Sequence, residues 1–299
     1  MDRPPLLGIS IPAFKRINML GRLLQSIHTD SPIIVSDNGC HLPADFKDMY
    51  SSVQFLGGLE VPVLRNWNRA AVSQTTEWII MPGDDDLYYP KSFEIIESTL
   101  AANPLADIVF FGHHIIDEHD QVMETWRPDP TFLRAPYGFE AIKLGVLARP
   151  CSIAFRRSVY QRLGGFNECF SVTAGDNDFY QRASLVGNLL CVPEIVSGYR
   201  VWNTGSTRLT IATSEWLEEI DLWCNSIKQF SSLNSDYLYP KSLQDEIYMA
   251  NLRAGIGLLK ERGEYVAAWR HAFSNRYPYK ASLKSHAKLL AHLLVPCLI

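Results

Sequence analysis

The amino-acid sequence predicts an α/β protein built on a mostly parallel sheet, with a helical region appended at the C-terminus. Three observations carry that expectation. Apolar, strand-like runs alternate with amphipathic helical segments as far as about residue 212. Acidic and turn residues gather at the ends of those runs, where open α/β sheets bind ligands. Beyond residue 212 only helical periodicity remains, which divides the chain into regions 1–212 and 213–299.

Residues 6–14 (LLGISIPAF) read as a buried strand that stops at Lys15 and Arg16. Residues 18–28 set Leu20, Leu23, Leu24 and Ile27 on one helical face, with Asn18 in the N-cap position. Residues 31–40 (SPIIVSDNGC) form a second strand ending in turn residues, and strand–helix–strand is the unit of parallel sheets. Residues 61–64 suggest a third strand, 68–76 a helix, and 77–82 a fourth strand that runs into GDDDLYYP. An amphipathic helix at 91–103 and an apolar strand at 106–117 follow. Prolines at 128, 130 and 136 make most of 118–150 loop, with a short helix within 138–147. Residues 151–166 pass from strand to helix and close on Gly164-Gly165. A helix at 176–187 opens with acidic residues, as the helix dipole favours, and 188–202 reads as a strand pair around Pro193. Helices at 214–230, 241–260, 263–274 and 281–295 complete the chain.

At 47% hydrophobic and 20% charged residues the composition is globular, which excludes the disordered and fibrous classes. A formal net charge of -4 offers no general attraction for nucleic acid, so none is expected as a partner. Cysteines at 40, 151, 169, 191, 224 and 297 show neither C-x-x-C spacing nor a zinc pattern with histidine. Reduced thiols in a cytoplasmic protein are expected. The opening residues lack a secretory apolar core, and no apolar run approaches the ~18 residues of a membrane span.

Three acidic segments carry candidate chemistry. In GDDDLYYP, Asp84, Asp85 and Asp86 follow a buried strand. Adjacent carboxylates raise one another's pKa unless a cation offsets them, and Mg²⁺ or Mn²⁺ both does so and grips a diphosphate. A solvated acidic turn with Asp84 as a helix cap is the plainer alternative. In SDNGC, Asp37 ends another strand on the same edge, suited either to the imide N–H of a pyrimidine or to an Asx-turn. In AGDNDFYQR, Asp176 at a helix start suits either a general base for an acceptor hydroxyl or an N-cap.

These segments together resemble the inverting family 2 of glycosyltransferases, whose fold is GT-A, a Rossmann-like mixed sheet that binds nucleotide-diphospho-sugars. GISIPAFKR resembles the family's V-S-I-V-I-P-T-Y-N-R, and Val35–Cys40 its V-V-D-D-G-S. Trp67-Asn68-Arg69-Ala70 with Thr76–Ile79 resembles A-R-N-x-G with G-E-Y-I, and Pro82–Pro90 resembles L-D-x-D-D-L-x-x-P. Phe155-Arg156-Arg157 and Gly164–Glu168 resemble F-R-R and G-G-F-D-E. Gly175–Arg182 resembles E-D-x-D-L-x-x-R, and Tyr199–Trp202 resembles Y-R-x-H. Each match is weak alone, but their order across residues 8–202 is specific.

The resemblance implies a metal-dependent, inverting transfer of sugar from a nucleotide-sugar donor to a glycan or lipid-linked acceptor, of the kind that builds bacterial surface polysaccharides. Phe14 would stack on the nucleobase and Asp37 would hydrogen-bond it. Pro12, Arg16 and Asn68 fall within the donor-binding motifs. Asp85 would be the principal ligand of Mn²⁺ or Mg²⁺, with Asp86 beside it and Asp84 at the donor sugar. Asp176 would be the catalytic base, and Arg200 would meet the leaving diphosphate or the acceptor. Three positions depart from the pattern. Gly83 replaces an Asp, Gly175 replaces a Glu, and Trp202 replaces a His that completes the metal shell in many relatives.

The tail sets Leu283, Ala287, Leu290 and Leu294 on one face and Lys284 and Lys288 on another. Such a helix either packs on its own domain or lies at an anionic membrane surface, here through residues 280–299 at the inner face of the cytoplasmic membrane. Two rival functions remain. A nucleotidyltransferase wants a Gly-rich loop after the first strand, where this chain has PAFKRIN. A catalytically inactive sugar-nucleotide or glycan-binding module is compatible with the three departures.

Overall fold

The computed structural model describes residues 5–171, 173–202, 206–274 and 276–294. Strand β1 (Leu7–Ala13) is buried along its whole length and leads into helix α1 (Ile17–Ser26). The helix buries Leu20, Leu23 and Leu24, as their spacing requires, but its N-cap is Arg16, and Asn18 lies inside the first turn. β2 (Ile33–Asn38), α2 (Ala44–Met49) and β3 (Val53–Gly58) follow. The third strand is therefore β3, and residues 61–64 instead lead into α3 (Val63–Val72). Pro62 explains the difference: it caps α3, and proline tolerates a helix start but not a strand interior.

β4 (Trp78–Ile80), β5 (Leu87–Tyr88), α4 (Ser92–Ala102) and β6 (Ile108–Ile116) complete the first half. The stretch expected as loop contains two strands, β7 (Val122–Trp126) and β8 (Thr131–Leu133), before α5 (Gly138–Ile142). Both pair only at the margins of the sheet, β7 on β6 and β8 on β10. β9 (Ile153–Arg156) runs into α6 (Arg157–Leu163), which ends on Gly164 and Gly165 at φ +72° and +83°, angles that favour glycine. α7 (Gly175–Val186) is followed by β10 (Leu189–Arg200), a single strand whose register slips on either side of Ile195, not a strand pair. α8 (Ser206–Thr210), α9 (Ser214–Asn234), α10 (Leu243–Glu261), α11 (Tyr265–Ser274) and α12 (Leu283–Leu294) form the helical region.

The ten strands form one sheet with the path β3-β2-β1-β4-β9-β6-β10-β5. β3, β2, β1 and β4 run parallel. β9 is antiparallel to both β4 and β6, so β6 and its parallel partner β10 point the same way as β4. The carboxyl ends of β1, β2, β4, β6 and β10 therefore share one edge. One face is covered by α1 and α4 over Leu7, Ile9, Trp78 and Phe111. The other face continues without a break into the C-terminal helices, where Trp216, Ile220 and Trp223 share a core with Ile79, Phe110 and Phe155. The change at residue 212 is thus one of secondary structure, with a single core across it.

The seam between the two regions is polar as well as apolar. Asp178 and Arg182 on α7 form a buried ion pair at 2.7 Å. Asp178 also accepts the Ser226 hydroxyl of α9 at 2.6 Å, and Arg182 donates to the carbonyls of Leu163 and Gly165. Removing one member of such a pair strands the other charge in the core. Arg182→Leu is expected to cost about 3–5 kcal/mol of unfolding free energy, measured by urea denaturation, with Asp178→Asn/Arg182→Leu recovering part of the loss.

Candidate active site

Residues 83–86 cross the carboxyl edge between β4 and β5, directly over the end of β1. Asp84 is 1% exposed. Its Oδ2 accepts the Phe14 amide at 2.7 Å and its Oδ1 faces the Arg16 guanidinium at 2.8 Å. Asp85 Oδ2 accepts Arg16 and, at 2.6 Å, the indole N–H of Trp202. Asp86 turns inward: Oδ2 accepts the Gly83 amide at 2.8 Å and Oδ1 the Arg200 amide at 3.1 Å. Burial pushes the Asp84 pKa up to about 6, against the opposing pull of Arg16. Asp86 is also raised, by burial first and by the Asp85 charge second.

Arg200, expected at the leaving diphosphate or the acceptor, forms a bracket. Its buried guanidinium donates to the Asp85 carbonyl at 2.8 Å, the Asp117 carbonyl at 2.5 Å and Asp120 Oδ1 at 2.5 Å. It ties the acidic loop to the turn after β6, and Arg22 pairs with the other side of Asp120. Asn68, expected at the donor, likewise holds the Gly165-Phe166 turn. Its Oδ1 accepts the Phe166 amide and the Tyr160 hydroxyl, and its Nδ2 donates to the Phe166 carbonyl and Glu168.

The remaining expected residues are placed as follows. Pro12 is buried within β1. Phe14, 36% exposed, has its ring edge-on to His41 at 5.6 Å. The His41 and Leu42 amides bind the two oxygens of Asp37, which also pairs with Lys47 at 3.1 Å. Asp37 is 1% exposed and closes its own loop, the Asx-type use of that motif. Tyr199 precedes Arg200, whose amide holds Asp86, and burial pushes the Tyr199 phenol pKa up. Asp176 lies in the first turn of α7 and Ala174 is the N-cap, so Asp176 is not the cap. Its Oδ1 accepts the Asn177 amide at 2.8 Å, and Oδ2 has no donor among the described residues.

Sequence reasoning missed several residues that shape this edge. Glu219 on α9 binds the Ser171 amide at 2.6 Å and the Thr173 amide at 2.7 Å, anchoring the approach to Asp176 from the helical region. Asp120 had no motif around it, and its use is visible only once β6 and β10 are paired. Two surface cavities, of about 490 and 650 Å³, lie away from the triplet around Asn68, Gly164 and Glu168. Neither is lined by Asp84, Asp85 or Asp86.

No family model and no curated protein matches the sequence. The fold does have solved counterparts. The crystal structure of S. aureus TarS 1-349 in complex with UDP covers 97% of this chain and 79% of its own, at 13% identity and a TM-score of 0.57. The same TarS fragment in complex with UDP-GlcNAc has a TM-score of 0.58 at 11% identity, covering 97% of this chain and 89% of its own. The mannosyltransferase PcManGT from Pyrobaculum calidifontis, in complex with GDP-Man and Mn²⁺, covers 97% of this chain and 81% of its own, at 17% identity and a TM-score of 0.56. The fold is therefore of the GT-A type, as the sequence motifs implied.

Among the described residues no group of three or more His, Cys, Asp or Glu side chains is gathered to hold a metal ion, and the carboxylates that could take one are Asp84 and Asp85. Asp85 Oδ1 has no donor among the described residues, and Gly83 keeps the space beside it open, since a Cβ there would lie 3.0 Å away. The half-exposed Arg16 guanidinium, bridging Asp84 and Asp85, stands in for a cation. Asp84 and Asp85 would hold the metal once Arg16 withdrew, whereas Asp86 has both oxygens on backbone amides.

A pH dependence follows. Asp84 and Asp86 have folded-state pKa values above their unfolded ones, so the folded state binds the extra protons. Their contribution is fully present below about pH 4 and is lost as pH rises through about 6 and beyond. Metal-free protein should show a melting temperature that falls from pH 5 to pH 8 by calorimetry, and Asp86→Asn should flatten that slope.

Proposed function

We propose that this chain transfers a glycosyl group from a nucleoside-diphosphate sugar to an acceptor hydroxyl, with inversion at the anomeric carbon. One observation carries the proposal: contacts run without a gap from Asp37 through His41, Phe14, Asp84, Arg16 and Asp85 to Trp202, with Asp86 held on the Arg200 amide behind them. Such a row has an aromatic end for a base and a cationic and acidic centre for a diphosphate. The solved neighbours bound to UDP, UDP-GlcNAc and GDP-Man support a donor of that class.

In this reading Phe14 presents its exposed ring to the nucleobase. Arg16 releases part of its hold on Asp84 and Asp85 and donates to the diphosphate. The acceptor oxygen bonds to the anomeric carbon as the bond from that carbon to the phosphate oxygen breaks. The acceptor proton passes to the open Oδ2 of Asp176, and the nucleoside diphosphate leaves with the bonding electrons. Attack and departure on opposite sides of the carbon invert its configuration. A divalent cation, when bound by Asp85 and Asp84, supplies Lewis-acid neutralisation of the leaving diphosphate.

The acceptor is proposed to be a glycan or lipid-linked saccharide in surface-polysaccharide synthesis, at the cytoplasmic face of a membrane. No helix among the described residues is long and apolar enough to cross a bilayer. α12 packs through Leu289 and Leu293 and leaves Leu283, Leu290 and Leu294 exposed, a face suited to an anionic lipid surface beside Lys284 and Lys288. Residues 295–299 of that proposed contact lie outside the described residues. A second reading, an inactive sugar-nucleotide binder, draws on Trp202 and Arg16 both occupying Asp85.

Asp176→Asn should lower transfer by about 10²–10⁴-fold while calorimetry shows donor binding unchanged. Transfer at the parental rate would reject Asp176 as the base, and absence of any nucleotide-sugar hydrolysis or transfer by the parent would favour the binder. Arg16→Gln should tighten Mn²⁺ binding about tenfold, equivalent to about 1.4 kcal/mol, because the ion no longer displaces a guanidinium. Electron paramagnetic resonance of free Mn²⁺ reads this without turnover.

A further inference from the structure

Arg149 precedes the 3-10 turn Pro150–Ser152 that leads into β9, and no sequence motif drew attention to it. Its guanidinium lies 5.0 Å from the centre of the Tyr199 ring. Tyr199 precedes Arg200, whose amide donates to Asp86 at 3.1 Å, so Arg149 stands beside the acidic loop at the end of β10. Yet Arg149 forms no ion pair among the described residues, and its Nε is buried with no hydrogen-bond partner.

Several other inward arginines are paired with carboxylates, whereas Arg253, in the helical region, also has a buried guanidinium nitrogen with no hydrogen-bond partner. Arg156 pairs with Glu77 and Asp107, Arg182 with Asp178, Arg200 with Asp120, and Arg16 with Asp84 and Asp85. The Tyr199 ring gives Arg149 a cation–π contact but no hydrogen-bond acceptor for its Nε, and no neighbour among the described residues gives it a counter-charge. His113 is buried and held neutral, its pKa lowered to about 4 by burial first and by Arg149 second. Tyr199 is pushed up by burial and remains a neutral phenol. A half-buried guanidinium with an unmet donor is costly unless something arrives to accept from it. The planar donors of arginine match the paired oxygens of a phosphate or carboxylate.

We infer that Arg149 is an anion-binding residue of the transfer site, holding a phosphate or carboxylate group of a substrate beside Tyr199. Arg149 thereby selects an anionic substrate, through either the donor diphosphate or an acidic group on the acceptor. The inference rests on the transfer reading for the identity of the site, but its test needs no turnover.

Full-length protein is titrated by calorimetry and thermal shift in two arms. One uses UDP and GDP, with uridine and guanosine as uncharged controls. The other uses methyl glucuronide and glycerol 3-phosphate, with methyl glucoside as the control. At least one anionic arm should stabilise the parent, and Arg149→Gln should weaken that arm by tenfold or more while leaving the uncharged controls unmoved. Arg149→Lys should retain an intermediate affinity, since a lysine keeps the charge but not the paired donors. Loss confined to the diphosphates assigns the donor, and loss confined to the acidic glycosides or phosphate assigns the acceptor. No response of the parent to either arm overturns the inference, as does equal binding by parent and Arg149→Gln. The base assignment is read from the turnover of Asp176→Asn and the anion assignment from ligand binding to Arg149→Gln, so failure of one and failure of the other are separately visible.

Discussion

Three adjacent carboxylates lie at the edge of the sheet with at most 9% exposure each, and their mutual repulsion has to be met locally. Each is met in a different way. Asp86 takes two backbone amides, Asp84 takes one amide and a guanidinium, and Asp85 takes a guanidinium and an indole N–H. The donors come from the end of β1, the end of β10 and the loop itself. Folding of the sheet and assembly of the acidic loop are therefore one event, because the amides of Phe14 and Arg200 reach the loop only when β1 and β10 hold their places. Arg16 differs from the other donors in being half exposed, and it is the one able to leave without breaking backbone structure.

The fold was legible where hydrophobic pattern and punctuation agreed. β1, α1, β2, α4, β6 and the four long C-terminal helices follow directly from apolar spacing. β3 and α2 were missed because their burial is partial, and β7 and β8 because short marginal strands carry little apolar signal. The candidate site was legible as a set of chemistry-bearing segments, but not in the work each side chain does. A buried strand followed by Asp-Asp-Asp announces a charged loop. It does not say that Asp86 faces inward, that Arg200 braces the loop from behind, or that Asn68 latches a turn. Those roles are set by hydrogen bonds between residues 80–117 positions apart, which no local pattern records.

The helical region is part of the site's construction. Glu219 holds the amides of Ser171 and Thr173, Ser226 caps the buried Asp178–Arg182 pair, and Trp223 donates to Gln181 on α7 at 3.0 Å. Three residues of α9 thus fix the helix and approach that carry Asp176. Ala174 adopts φ +60° just before that helix, a left-handed conformation that costs an alanine about 1–2 kcal/mol. The contacts from α9 give a physical reason why that conformation persists.

Gly83, Gly175 and Trp202, the three positions that depart from the resembled motifs, each sit in a distinct packing environment. A side chain at position 175 would meet Leu64 at 2.3 Å, so the glutamate expected there has no room beside α3. A side chain at 83 would crowd Asp85 Oδ1 at 3.0 Å and Asp86 Oδ2 at 3.3 Å, so glycine keeps one carboxylate oxygen open. Trp202 donates to Asp85 where a histidine would accept a metal. In the proposed reading a cation would bind at Asp85 and Asp84, where Arg16 already sits. Competition between that guanidinium and a metal is then a property of the loop itself, set by how few carboxylate oxygens the departures leave free.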